Sequence, residues 1–435
     1  MSFAGEGYIK LFPPVRPPSV WRAVELNVRP VTMSRGPERV EDTSYPPNVR
    51  ELLTEMKNIS DLMVDLAFVV LVLEDRELAK QLSRLEERMN ELMYLIRGTA
   101  AVVTKRLEEA KLITGILQVA SAAESISDAV ESIADFILRG MKVHPVIREA
   151  IDEADERIVA LEIREDSPVV NRKLAELSLP PVKGVWPLAL KRGTEWIIPP
   201  EPNVELRGGD LLICKGSEES LRIVEQVVGS KVKPKTRVRG DGLEKIRRTL
   251  AKMRDLVAIM VDMAYSSIIF GSREIAQEVR EMEVDFDRLG YKIRLEVLKA
   301  SRRERDLESL CSILEILDYL GRISNAADDI ADVTLRLEEI HPVFREAFEE
   351  SQEKIERIVV RENSSLKNKT LGKLKLWEIF GVYVFMIKRG GKLIIEPSSN
   401  FRIRAGDVLF VRGERKNVEK IREMGGHAGS VVQKP

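Results

Sequence analysis

The sequence predicts a multidomain chain, all-α plus α+β, in which three-helix bundles alternate with small α+β domains. The first observation behind this is an internal repeat. Met63-Val64-Asp65-Leu66-Ala67 recurs as Met260-Val261-Asp262-Met263-Ala264, an offset of 197 residues. The same offset carries His144-Pro145-Val146 onto His341-Pro342-Val343, Lys191-Arg192-Gly193 onto Lys388-Arg389-Gly390, and Gly209-Asp210 onto Gly406-Asp407. Near Glu156 the register reads as slipping by three, because Glu-Arg-Ile-Val recurs at Glu356. The second observation is helical spacing in the first part of each copy, and the third is short alternating strands broken by glycine turns in the second part.

Taken in order, residues 1–47 carry eight prolines, Pro13 through Pro47, and read as a disordered leader in which Met33 is an alternative start. A bundle is expected over 48–157. Its first helix, 49–72, is apolar nearly all round and should be the most buried. Leu78, Leu82, Leu85, Met89, Leu92 and Ile96 step by four and three along a second helix, as Ile275, Val279, Met282, Phe286, Leu289 and Ile293 do in the second copy. Leu112 to Ile137 forms the seam of a long third helix. His144-Pro145 breaks it, and a short amphipathic helix follows to about Arg157. The α+β domain is expected over 158–230. It has strands at Ile158–Ile163, Val185–Leu190, Glu195–Ile198 and Leu211–Cys214, a short helix at Asn171–Leu177, and a closing helix from Ser217 that uses this serine as its cap. A linker at 231–242, a second bundle at 243–355, a second α+β domain at 356–425 and a tail at 426–435 complete the chain.

Composition narrows the function. The 435 residues hold 69 Lys+Arg and 70 Asp+Glu with 5% aromatics, which argues against a nucleic-acid binder. Two cysteines, Cys214 and Cys311, give no disulfide framework, read as buried small hydrophobes, and fit a reducing, cytoplasmic setting. The longest apolar run, Leu62–Leu73, is too short to span a membrane and contains Asp65. Glycine-rich nucleotide loops, G-x-S-x-G and H-E-x-x-H are absent, so a non-enzyme is expected. Asp65 and Asp262, inside apolar helices, need a buried partner. His144 and His341 each precede a proline at a helix break and read as capping or kinking there, not as general bases, and His427 falls on the tail.

The long helices carry Glu124-Ser125-Ile126-Ser127-Asp128-Ala129-Val130-Glu131-Ser132-Ile133-Ala134-Asp135 and Arg322-Ile323-Ser324-Asn325-Ala326-Ala327-Asp328-Asp329-Ile330-Ala331-Asp332. These runs resemble the PhoU family. The α+β parts carry Ser167-Pro168 with Leu174 and Leu177, then Arg192-Gly193, Ile197-Ile198-Pro199-Pro200 and Gly209-Asp210-Leu211-Leu212. The second copy answers with Arg389-Gly390-Gly391, Ile394-Ile395-Glu396-Pro397 and Gly406-Asp407-Val408-Leu409. This pattern resembles the TrkA C-terminal domain, also called RCK-C. A bundle stands where RCK proteins carry a nucleotide-binding half, so NAD binding is not implied.

Two candidate sites follow. Glu124, Asp128, Glu131 and Asp135 lie one residue beyond the apolar seam, on one helix face, with Glu86 on the preceding helix. Glu283, Asp287, Asp328 and Asp332 form the stripe of the second copy. The PhoU resemblance implies iron, zinc or another divalent metal on such E-x-x-x-D runs, but the family histidine is Ala129 and Ala326 here. The other reading is a solvated flank paired with Lys or Arg. The RCK-C resemblance implies a cleft for a cyclic dinucleotide or other nucleotide at Arg192, Ile197, Ile198, Pro199, Arg389, Ile394 and Ile395. Against this, the Ile pair packs the sheet, and at least one of the two must face the core.

The expected function is a ligand-sensing, non-catalytic, cytoplasmic regulator of ion transport, potassium or another cation, with a link to phosphate. Its implied partner is a membrane cation transporter or channel subunit that holds it at the membrane periphery. The α+β halves are expected to pair within one chain or in a homodimer. Alternatives are a metal-binding carboxylate bundle in storage or signalling, and a structural adaptor.

Overall fold

The computed structural model describes residues 48–103, 107–153, 157–177, 185–216, 218–228, 241–302, 306–337, 340–349, 354–390, 392–395 and 397–426. The leader, the Ser217 cap, most of the linker, the tail with His427, and the side chains of Leu112 and Ile395 lie outside the described residues.

The first bundle consists of α1 (Val49–Leu73), α2 (Arg76–Val103) and α3 (Leu107–Leu138). Asn48 opens α1 with a capping box: its side chain accepts from the Glu51 amide at 3.0 Å, and the Glu51 carboxylate accepts from the Asn48 amide. Gly140, at φ +73°, closes α3 in a Schellman turn, with Met141 N–H donating to the Phe136 carbonyl. Then α4 (Pro145–Glu153) begins with proline in its first turn. The imidazole Nδ1 of His144 accepts from the Val146 amide at 3.1 Å, and His341 repeats this with Val343, so both histidines cap as expected.

The first sheet follows, with β1 (Arg157–Glu162), a 3-10 turn at Leu174–Leu177, β2 (Val185–Arg192), β3 (Glu195–Ile197) and β4 (Leu211–Gly216), closed by α5 (Glu218–Val228). The order is β1-β4-β2-β3, antiparallel throughout. The second copy repeats the plan as α6 (Asp241–Phe270), α7 (Arg273–Ala300), α8 (Leu307–Arg336), α9 (Pro342–Glu349) and β5 (Lys354–Val359). It continues with α10 (Leu371–Leu374), α11 (Leu376–Phe380), β6 (Tyr383–Arg389), β7 (Lys392–Ile395), β8 (Val408–Gly413) and α12 (Arg415–Met424). Its sheet runs β5-β8-β6-β7.

Three expectations change. Helix α6 already starts at Asp241, inside the stretch read as linker. The register never slips: β1 and β5 begin 197 residues apart and pair Arg157 with Gly216 and Lys354 with Gly413, so the Glu-Arg-Ile-Val echo at Glu356 is coincidental. Cys214 is buried, with its thiol pKa pushed up by burial, but Cys311 is exposed on α8.

Packing joins the copies. Helices α3 and α8 lie against each other, and the short helices cross over, so that α4 packs on α6 and α9 on α1. Arg247 of α6 is ringed by Glu149 and Glu153 of α4, and Thr54 of α1 donates to the Ala347 carbonyl of α9 at 2.8 Å. Between α1 and α6, Lys57 stands 5.1 Å from the Tyr265 ring and Arg254 stands 5.1 Å from the Phe68 ring. Lys57 and Arg254 are repeat equivalents, as are Phe68 and Tyr265, so the two cation–π contacts are reciprocal. One core consequently runs through both bundles.

Each sheet is buried on both faces. Along β4, Leu212 and Cys214 join the core beneath α5, while Ile213 faces the helical core. A bulge between Pro187 and Ala189 turns both Leu188 and Ala189 toward the bundle, and β6 repeats it with Phe385 and Met386.

Candidate functional site

The alternation that sends Ile213 toward the bundle sends Lys215 the same way. Lys215 is nearly buried, and its ammonium meets Asp65 of α1 at 2.6 Å. On β8, Phe410 faces the bundle, and two residues on Arg412 reaches Asp262 of α6 at 2.7 Å. Both pairs sit at the same repeat position, and they supply the partners that Asp65 and Asp262 required. Between them lies a cavity of about 100 Å³, lined by Asn58, Asp61 and Asp65 of α1, Val261 and Asp262 of α6, Trp186, Pro199, Lys215 and Arg412. Lys57 and Asp61 pair at 2.5 Å on α1 beside it. Both copies thus supply charge to one small space, with cations from the sheets and anions from the helices.

A second anchor fixes the sheet edge to the start of α2. Asp75 accepts from the Leu78 amide at 2.9 Å and from the Trp196 indole at 3.2 Å, and forms an ion pair with Lys191. Burial opposes ionisation of Asp75, but the Lys191 ammonium and the two N–H donors outweigh it and hold the carboxyl below the usual range. A depressed carboxyl stabilises the fold fully above its unfolded pKa of about 4 and loses that contribution as pH falls through the folded value. The stability gap between the native chain and Asp75→Asn is therefore expected to be constant above about pH 5 and to narrow below pH 4, as read by denaturant titration. A gap independent of pH would remove Asp75 from this role. In the second copy Lys388 pairs instead with Glu274.

A family model of the PhoU domain matches residues 53–137 and 250–334, and one of the TrkA-C domain matches residues 158–229 and 355–424. The chain carries both domains, each twice. Among solved structures, PhoU from Pseudomonas aeruginosa is 14% identical, with 66% of this chain and 93% of that one covered at a TM-score of 0.35. The phosphate transport system regulatory protein PhoU from Streptococcus pneumoniae is 9% identical, with 66% and 91% covered at 0.37. The GsuK channel bound to NAD is 11% identical, with 73% and 65% covered at 0.17.

Within the TrkA-C modules, the arginines expected to meet a ligand are engaged internally. Arg192 makes a bidentate pair with Asp210 at 2.9 and 2.7 Å and donates to the Glu205 carbonyl. Arg389 does the same with Asp407 and the Arg402 carbonyl, and lies 4.4 Å from the Phe401 ring. These arginines tie the hairpin to the Gly-Asp turn. The neighbouring isoleucines part company: Ile197 packs on the module's own core and Ile198 on the PhoU bundle. Ile394 is half-buried on β7. Of the first module's expected ligand residues, Pro199 is the one that lines the cavity. Lys215 and Arg412 escaped the sequence reading. Their signal was a cation at the same repeat position near the end of each apolar strand.

The carboxylate stripes differ between the PhoU bundles. In the first, burial and then Glu131 and Asp128 raise the Glu86 pKa. Burial and Asp128 raise that of Glu124, and burial with Asp135, Asp128 and Glu87 raises that of Glu131. Asp135 pairs with Arg139 at 2.8 Å. In the second, Glu283 is raised by burial and by Asp287 and Asp328, while Arg280 bonds Asp332 at 2.6 Å and Asp328 at 3.4 Å. Arg336 and Gln118 complete the shell of Asp332. The counterpart of Arg280 is Ser83, so the first stripe lacks this neutralising arginine. Among the described residues, no three His, Cys, Asp or Glu side chains converge as a metal site.

Proposed function

We propose that the protein is a non-catalytic regulator of ion transport whose TrkA-C modules sense an anionic small ligand, a cyclic dinucleotide or other nucleotide. The PhoU bundles relay that state to a membrane cation transporter or channel subunit. The presence of PhoU and TrkA-C domains, each twice, supports regulation of phosphate or ion transport as the general role. No described helix is long and apolar enough to cross a membrane, so in this reading the conducting path belongs to the partner.

One observation carries the proposal: the cavity between modules and bundles is lined by both ion pairs, Lys215–Asp65 and Arg412–Asp262. An anionic group entering it competes with Asp65 and Asp262 for the two cations. Its binding then differs between docked and loosened modules, which is the condition for coupling a ligand to a conformational change. A thermal-shift screen with cyclic dinucleotides, mononucleotides and divalent metals tests this. A nucleotide at a hundredfold its Kd should add about 2.7 kcal/mol of stability, and Arg412→Met should abolish the shift. Silence across all nucleotides, or a shift that Arg412→Met leaves unchanged, sinks the proposal.

A second reading, a metal on the first bundle's stripe, has in its favour that burial and neighbouring carboxylates raise the pKa of Glu86, Glu124 and Glu131 along a stripe without the arginine found in the second copy. The metal arm of the same screen, repeated with Glu124→Gln, decides it.

A further inference from the structure

The seam between the long helices α3 and α8 is closed at one end and open at the other. At the closed end, the Gln118 amide of α3 donates to the Asp329 carbonyl of α8 at 2.9 Å and to the Asp332 carboxylate at 3.2 Å, while Arg336 pairs with Asp332. At the other end the repeat places Glu315 for Gln118, Ser132 for Asp329, Asp135 for Asp332 and Arg139 for Arg336. Glu315 has no N–H to offer where Gln118 has two, and Asp135 is a second acceptor of the same charge. The latch is lost there. A cavity of about 220 Å³ remains, walled by Ser132, Asp135, Phe136 and Arg139 on the α3 side and by Glu315 and Tyr319 of α8.

The open end also presents different chemistry. Glu315, Tyr319 and Arg322 recur at steps of four and three, so they share one face of α8, where α3 has Gln118, Ala122 and Ser125. The Tyr319 hydroxyl donates to Glu315 at 3.3 Å, and Arg322 donates to the Ser132 hydroxyl at 2.8 Å. Burial and then Glu315 raise the Tyr319 pKa, while Arg139 and Arg322 oppose the rise, so both guanidiniums act at the same ring. Glu315 and Arg322 thus each meet a neutral hydroxyl, and among the described residues neither joins an ion pair. Their backbones are two turns apart, about 10 Å along the axis. A carboxylate at one end of a half-buried aromatic ring and a guanidinium at the other match a molecule that carries both charges.

We infer that this cavity binds a small zwitterion, a free α-amino acid, whose ammonium meets Glu315 and whose carboxylate meets Arg322 across the Tyr319 ring. Two charge-assisted contacts of about 3 Å each leave about 4 Å of the span for the ligand's own charged groups, which an α-amino acid carries on a single carbon. Phe136 and Met141 offer its side chain an apolar wall, which favours leucine, methionine or phenylalanine over charged amino acids. Once bound, the ligand replaces the missing latch and ties α3 to α8. This cavity shares no lining residue with the one between Lys215 and Arg412, so it stands independently of the nucleotide proposal.

Isothermal titration calorimetry of the full chain with leucine, methionine and phenylalanine tests the inference. At least one should bind saturably with a Kd below about 1 mM. Arg322→Met and Glu315→Gln should each weaken that binding at least about tenfold, and Arg288→Met, which removes an exposed cation of α7 outside the cavity, should leave it unchanged. The matching amine without the carboxylate and the matching acid without the amine, isoamylamine and isocaproate in the case of leucine, should each bind at least about tenfold more weakly to the native chain. No saturable heat from any of the three at about 10 mM, binding that both variants retain, or a single-charge analogue as tight as its parent overturns the assignment. Glu315 and Arg322 are exposed, so an unchanged melting curve separates loss of the ligand from misfolding, and the analogues make the same test without any substitution.

Discussion

Replacing Lys215 with methionine is expected to cost about 3 to 5 kcal/mol and to loosen the first TrkA-C module from its bundle. The pair is mostly buried, with the Lys215 side chain 5% and the Asp65 side chain 19% exposed. Removing the ammonium leaves a mostly buried carboxylate without the Lys215 counter-charge, beside Asp61 and Asp262, and that uncompensated burial accounts for most of the loss. Removing both charges is far milder, so Asp65→Asn combined with Lys215→Met should recover most of the stability. A double-mutant cycle by chemical denaturation reads the coupling directly. Amide exchange should show faster opening in β1 and β4 than in β5 and β8 of the single variant. Uniform acceleration across both sheets would mean that the ion pair stabilises the whole molecule and does not hold one module in place.

The second large effect is expected at Phe348→Ala on α9. Phe348 is 1% exposed, meets the Tyr265 ring edge-on at 5.1 Å, and stands 5.9 Å from the Phe344 ring. Truncating a fully buried phenylalanine costs about 3 to 5 kcal/mol through lost burial and an unfilled cavity. Because α9 belongs to the second copy but packs on α1 of the first, the damage should appear in both halves. Equilibrium unfolding monitored separately in each bundle is expected to show both midpoints falling together. A fall confined to the second bundle would show that the exchanged helix carries little of the connection.

Most of the architecture was legible because it is local and stated twice. Four-three spacing placed the bundle helices to within a few residues, glycine turns placed the strands, and His-Pro located the capped short helices. The errors have physical causes. The apparent slip at Glu156 arose because Arg-Ile-Val suits a strand wherever it falls, whereas pairing with β4 and β8 fixes the true register. Cys311 was misplaced because its residue type favours burial, while its position on α8 faces solvent. The destination of α4 and α9 was illegible, since an amphipathic helix announces an apolar face without saying whose core it completes. The candidate site was half legible. Asp65 and Asp262 declared a need for partners, but Lys215 and Arg412 became identifiable only once strand alternation was fixed in three dimensions. Arg192 and Arg389 carried a recognisable pattern, and the structure shows each bound to the aspartate of its own Gly-Asp turn.

The reciprocal crossing of α4 and α9 constrains the protein's history. Either half alone would leave bare the surface where its neighbour's short helix belongs, and its own short helix would keep only its lesser contact with the first helix of its own copy. A half-length chain of this kind would complete its packing only by pairing with a second copy. Fusing their genes turned an encounter that depended on abundance into a tethered one, set by the reach of a short stretch of chain. The tethered copies are not identical: one has Arg280 where the other has Ser83, and one exposes Val284, Leu295 and Leu298 where the other has Glu87, Gly98 and Ala101.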